Sequence, residues 1–269
     1  MKLAFSTLGC AEWGIEQILE AARANGYHGV ELRHYKGSLD LPKALADAAG
    51  GPSGFRRQFE EAGVEVCCVD TSLVLTDTKS TASDGIPLLD LARKLGAPYI
   101  RVFGGDVPEG ESREDCMKRS AEKMRLLGKL AVERGLRTVL ETHDAFSTGA
   151  HVAELLDVAG DEGTGALWDL HHPVRMGEPV EETARLLASR TYHTHVKDSK
   201  QGGGYTLVGE GDIPLPELVG ALHRAGYQGY LCLEWERAWH PELAEPEVVF
   251  PQAAQYLTQL LAELGIPKG

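Results

Sequence analysis

Eight times along this chain a short apolar run gives way to a longer amphipathic stretch, and that alternation constrains the fold more than any other feature. The runs are LAFSTLG (Leu3 to Gly9), GVELR (Gly29 to Arg33), VEVCCVD (Val64 to Asp70), PYIRVFGG (Pro98 to Gly105), RTVLETH, ALWDLHH, TYHTHVKD and GYLCLEWE. Each reads as a buried strand. The stretches between them predict helices over about Ile15–Asn25, Gly54–Ala62, Asp84–Leu95, Glu111–Arg134, His151–Ala159, Val180–Ser189, Leu215–Ala225 and Val248–Glu263. Five of these helices stop at a glycine that can cap the last turn, namely Gly26, Gly63, Gly96, Gly135 and Gly226, and the next strand follows at once.

Repeated βα units imply parallel strands with helices outside. Eight units in roughly 250 residues fit a (β/α)8 TIM barrel, an α/β fold. A doubly wound open sheet needs fewer strands and usually carries an early glycine-rich phosphate loop. The first turn, STLGCAEWG, has no GxGxxG. No Pro/Gly/Ser-rich linker divides the chain, so one domain over residues 1–269 is expected. Two loops are longer than a connection requires, about His34 to Ser53 and Ser199 to Pro216. The second contains Gly202-Gly203-Gly204 and is expected to be flexible; both are placed to shape access to a barrel mouth.

The net charge of −13 counts against a nucleic-acid partner, which usually needs a basic face. The N-terminus lacks the apolar core of a signal peptide, and no run approaches the ~18 apolar residues of a membrane span. The five cysteines are scattered without a CxxC spacing, the pattern of reduced thiols in a cytoplasmic protein.

Polar clusters recur at the ends of the later runs: Glu141 and His143; Asp169, His171 and His172; His193, His195, Lys197 and Asp198; Glu234 and Glu236. Burying such groups costs several kcal/mol apiece unless they are paired. Residues i and i+2 share a strand face, and the C-terminal ends of barrel strands build the active site. Glu141, Asp169, His195 and Glu234 come from four consecutive strands, the fifth to the eighth. Three carboxylates and an imidazole at one mouth match an O,O,O,N site for one divalent ion, with Mn²⁺, Mg²⁺, Co²⁺ or Fe²⁺ suited and Zn²⁺ admissible. Taken singly, each has a bland alternative: Glu141 pairing Arg101, Asp169 capping a turn, Glu234 pairing Lys197, His195 bonding a carbonyl.

The motifs VLETH, WDLHH, THVKD, VGEGDIP and LCLEWE resemble those of the xylose isomerase-like TIM-barrel superfamily of sugar isomerases and epimerases, which also includes dehydratases and DNA-repair endonucleases. The resemblance implies that Glu141, Asp169, His195 and Glu234 are the ligands of one divalent metal, Mn²⁺ first. It also implies that His172 contacts substrate oxygens and that Lys197 binds substrate, with a structural salt bridge as its alternative. His143 is a further substrate-contact candidate. Arg101 either binds an anionic group or buttresses Glu141, and buttressing is favoured. Glu31, Arg33, His34 and Asp70 are placed to meet sugar hydroxyls. Trp13, Trp235, Trp239 and His240 are candidates to wall the pocket, with Trp235 expected to point outward.

The chemistry expected of such a site is proton abstraction next to a carbonyl, with Glu141 and Glu234 flanking the substrate carbon. Return of the proton would make an isomerase or epimerase, the first expectation. Loss of a β-hydroxyl would instead make a dehydratase acting on an inosose or dehydroshikimate-like compound. Too few histidines and carboxylates on the first four strands argue against an endonuclease, and opposed glutamates argue against a purely sugar-binding barrel. The expected partner is a small sugar or polyol-derived molecule, and the resemblance allows copies to pair into a homo-oligomer.

Overall fold

The apolar runs become eight parallel strands: β1 (Lys2–Ser6), β2 (Gly29–Leu32), β3 (Glu65–Val74), β4 (Tyr99–Phe103), β5 (Arg137–Glu141), β6 (Thr164–Asp169), β7 (Thr191–Val196) and β8 (Tyr230–Leu233). They pair in sequence order, and β1 closes onto β8 to complete one barrel. The computed structural model describes every residue except Asp47 and Ala49. The helices are α1 (Ile15–Ala24), α2 (Leu41–Ala46), α3 (Gly51–Ala62), α4 (Ile86–Leu95), α5 (Arg113–Val132), α6 (Gly149–Ala159), α7 (His172–Arg175), α8 (Val180–Leu187), α9 (Leu215–Arg224) and α10 (Pro246–Glu263). Among the described residues no helix is long and apolar enough to cross a membrane.

Several helix boundaries differ from expectation because polar caps override apolar periodicity. Ser112 Oγ accepts from Asp115 N at 3.1 Å, so α5 starts at Arg113 rather than Glu111. Thr148 Oγ1 accepts from His151 N at 3.3 Å, which moves the start of α6 forward to Gly149. Such caps satisfy backbone donors that the first helical turn leaves free. The helix expected from Asp84 begins as a 3₁₀ turn over Ala82–Gly85 and becomes α-helical at Ile86. The stretch expected as a loop over His34–Ser53 instead contains α2, whose first turn Asp40 caps through Lys43 N at 3.2 Å, and the first turn of α3; two of its positions lie outside the described residues. Strand β3 runs to Val74, beyond the expected end at Asp70.

The C-terminal helix seals the barrel beside its first strand. Phe250 stacks on Phe5 with ring centroids 4.3 Å apart, and Tyr27 donates its hydroxyl to Phe250 O at 2.8 Å. All five cysteines are free and buried.

The loop after β7 is more ordered than its glycines suggest. A short antiparallel ribbon pairs Asp198–Ser199 with Tyr205–Thr206. The Asp198 carboxylate then accepts from the backbone N–H groups of Ser199, Gly209, Gly211 and Ile213 at 2.8–3.2 Å. Gly211 has no room for a side chain there, since a Cβ would run into the Asp198 carboxylate.

Candidate metal centre

Strand ends β5 to β8 bring the four carboxylate and imidazole candidates together. Glu141 and Asp169 are the last residues of their strands, His195 is one short of the end of β7, and Glu234 follows β8 directly. One donor atom from each of Glu141, Asp169, His195 and Glu234 lies within 4.8 Å of all the others, and all four residues are buried. His195 Nδ1 sits 3.1 Å from Glu141 Oε1 and 3.2 Å from Glu234 Oε2. Asp169 divides its two oxygens. Oδ1 accepts from His171 N and His172 N at 2.7 and 3.2 Å, capping the turn into α7. Oδ2 faces the cluster. The capping role and the ligand role are therefore compatible in one side chain.

Fixed cations stand on both sides of this quartet. Lys197 is almost fully buried, with Nζ 2.5 Å from Glu234, 2.7 Å from Glu236 and 2.9 Å from Asp169. Arg101 pairs with Asp70, and its Nε lies 3.2 Å from Glu141 Oε2. Arg33 Nε is 3.6 Å from Asp70 and its Nη1 donates to Ser72 Oγ at 2.8 Å. Arg101 thus lies between Asp70 and Glu141, with its guanidinium 3.6 Å from the centroid of the Phe103 ring.

The charges do not balance without something more. Among the described residues, six buried carboxylates, Glu31, Asp70, Glu141, Asp169, Glu234 and Glu236, face three fixed cations, Arg33, Arg101 and Lys197. The protonation preferences respond to that excess. Burial pushes the Asp70 carboxyl up to about 7, against the pull of Arg101, with Glu31 adding to the rise. Burial alone would lower His195, but Glu234, Glu31 and Glu141 hold its pKa well above the usual histidine range. Burial disfavours ionised Asp169 and Glu234 too, yet Lys197 with His172, and His195 with Lys197, respectively, keep both below the ordinary carboxylate range. Glu141 Oε2 and Asp169 Oδ2 accept no hydrogen bond, although Arg101 and Lys197 lie at ion-pair distance. Oxygen-rich donors, an excess of negative charge and unsatisfied carboxylate oxygens in one buried cage fit a divalent cation.

The remaining candidates separate. His143 Nδ1 is 2.7 Å from Asp144 Oδ1, and its ring meets Phe103 and His172 with centroids 4.8 Å away in each case. Asp144 adopts a left-handed backbone (φ 51°), a strained choice for a residue with a side chain. His172 Nε2 is 3.6 Å from Asp169 Oδ2 and makes no hydrogen bond. Both histidines therefore line the same side of the mouth. Lys197, expected to reach substrate, spends its ammonium on three carboxylates.

Glu31, expected to meet sugar hydroxyls, is instead sealed beneath the cluster, bonded to His193 and His195. Sequence reasoning set Glu236 beside Glu234 among the polar groups at the strand ends without giving it a role, and did not connect Glu31 to the cluster. The available signal for Glu31 was a lone carboxylate inside GVELR. Trp235 points away from the mouth and donates to Ala244 O at 2.9 Å, while Trp13 packs edge-on against Phe250. Trp239 is half exposed and meets the edge of His34.

The family model described as xylose isomerase-like TIM barrel matches residues 19–260. An inosose dehydratase of Bacillus thuringiensis (strain Al Hakam) is 24% identical over 283 residues, covering 93% of this chain and 90% of that protein. Two solved structures share the fold. The IOLI protein with a bound zinc atom has a TM-score of 0.82 at 18% identity, with 98% and 99% of the two chains covered. An L-ribulose 3-epimerase has a TM-score of 0.77 at 17% identity, with 98% and 95% covered.

Proposed function

Because the chain belongs to the xylose isomerase-like TIM-barrel family, we propose that it is a divalent-metal-dependent dehydratase that removes water from a neutral cyclic polyol ketone of the inosose class. The convergence of Glu141 and Glu234 on His195 Nδ1, with Asp169 alongside, carries the proposal. The inosose dehydratase, similar along nearly the whole of both chains, favours elimination. The epimerase likeness, at 17% identity, extends only to the fold. Dehydration therefore replaces the isomerase or epimerase reading that the motifs first suggested.

Glu141, Asp169, His195 and Glu234 would hold the metal, which supplies Lewis-acid stabilisation of the negative charge that develops on the substrate carbonyl oxygen. The chain's own residues do the rest. Glu141 and Glu234 are both ionised at neutral pH, so either starts in the form that can accept the proton from the carbon next to the carbonyl. The electrons of that C–H bond form the new C=C, the β C–O bond breaks, and the departing hydroxyl takes a proton to leave as water. His143 is the donor best placed, because Asp144 anchors its Nδ1 and its ring borders His172 on the open side of the cluster. Arg33, Arg101 and Lys197 each face a carboxylate already, which favours an uncharged substrate over one bearing a carboxylate.

The test is to incubate metal-reconstituted protein with inososes in deuterated water and follow absorbance and NMR together. A conjugated carbonyl product, formed only with metal, is the expected result. Deuterium incorporation or epimer formation without new absorbance would reject elimination in favour of proton return.

A further inference from the structure

Glu31 is sealed from solvent and, among the described residues, has no lysine or arginine at ion-pair distance, and both imidazoles of β7 turn toward it. His193 Nε2 lies 3.0 Å from Glu31 Oε2, and His195 Nε2 lies 3.0 and 3.1 Å from its two oxygens. All three side chains are fully buried. The strand pairing shows how the contact is built. β2 and β3 slip register between Val30 and Glu31, so that Val66 and then Cys68 are the successive partners and Cys67 is skipped. β6 and β7 slip in the same way before His193, skipping Tyr192. Bulges of this kind re-aim the side chain beside them and recur next to functional sites. One precedes each side of the Glu31–His193 contact.

The consequence falls on His195. A neutral imidazole carries one N–H and one lone pair, and the partner of the N–H decides which nitrogen is which. Both ring nitrogens face carboxylate oxygens, so a divalent cation at the quartet would take the place of the Nδ1 proton; Glu31, acceptor-only at Nε2, would then keep the remaining hydrogen there and leave the Nδ1 lone pair directed between Glu141 Oε1 and Glu234 Oε2. His193 donates to Glu31 from its own Nε2 and keeps that carboxylate from turning away. We infer that Glu31 is a positioning residue that fixes the tautomer and tilt of His195, so that Nδ1 is presented to a divalent cation. This rests on the proposed metal reading of Glu141, Asp169, His195 and Glu234. A carboxylate behind a ligating histidine typically contributes 10- to 100-fold to metal affinity.

The experiment uses full-length protein loaded with Zn²⁺, with ¹⁵N-labelled histidine. In wild type, long-range ¹H–¹⁵N spectra should assign the His195 proton to Nε2 and the metal to Nδ1. Competition titration should show Zn²⁺ affinity falling about 10- to 100-fold in Glu31→Ala. Glu31→Gln, which keeps size and one acceptor oxygen, should lose less. A His195 ring with the metal on Nε2 would overturn the inference without needing any variant. So would a folded Glu31→Gln or Glu31→Ala protein with wild-type Zn²⁺ affinity and an unchanged ring pattern. If wild type binds no divalent ion at the quartet while its fold is intact, the metal reading fails and takes this inference with it. Metal uptake by wild type together with indifference to Glu31 would sink the inference alone.

Discussion

Lys197 Nζ lies 2.5 Å from Glu234 Oε2 at a point nearly closed to water. The same ammonium serves Asp169 and Glu236. A buried charge left without its partner is costly, about 3–5 kcal/mol when one member of a pair is removed. Lys197→Met should therefore destabilise the metal-free protein by about that amount in urea unfolding. A divalent ion should return more stability to the variant than to wild type, because it meets a cage with more unbalanced negative charge. Equal stability of the two metal-free proteins would show that Lys197 is not the counterion.

Metal removal should be visible in thermal unfolding before any assay exists. Binding only to the folded state adds about 2.7 kcal/mol when free metal is 100 times its Kd. For a chain of this size that corresponds to a rise in Tm of roughly 5–10 °C. Chelator should reverse it, and Glu234→Ala should abolish the metal-dependent part.

Glu141→Gln keeps the shape of the side chain and removes its capacity to take a proton. At saturating metal, kcat for dehydration should fall by about 10²–10⁴. Far-ultraviolet circular dichroism should stay unchanged. Retention of near wild-type turnover would reassign the base to Glu234, which the matching Glu234→Gln variant checks.

His28 provides a pH dependence far from the quartet. Its Nδ1 accepts from Leu3 N at 3.1 Å, which needs the neutral ring. Burial, then Lys268, lower its pKa in the fold. Folding therefore favours the unprotonated ring. This contribution is fully present above the unfolded value of about 6.5 and is lost as pH falls through the lower folded value. In chelator at pH 8, His28→Leu should be about 1 kcal/mol less stable than wild type. That gap should narrow as pH is lowered from 7 toward 5. A gap that stays constant would mean that His28 titrates alike in both states.

Much of this arrangement was readable in advance because periodicity and covalent spacing are local. LETH, WDLHH, THVKD and LEWE carry their polar groups at strand ends, and parallel order in a barrel brings consecutive ends together. The (β/α)8 fold followed from the same repetition. Glu31 was misread because its role depends on two register slips that leave no mark in composition. Lys197 was only half read: its spacing from His195 gives the face, but the choice between substrate and carboxylates depends on distances across strands. Helices α2 and α6 depended on Asp40 and Thr148, single caps that periodicity alone does not weigh.

The hold of Asp198 on Gly209, Gly211 and Ile213 separates two jobs within one loop. Its base is clamped, so Lys197, one residue upstream, keeps its place whatever happens at the tip. The tip, from Lys200 through Gly204, can then lengthen, shorten or exchange its residues as an interchangeable cassette at the rim of the mouth. A barrel built this way can be retuned to a new substrate outline by edits to a handful of codons, without recasting the charged cage below.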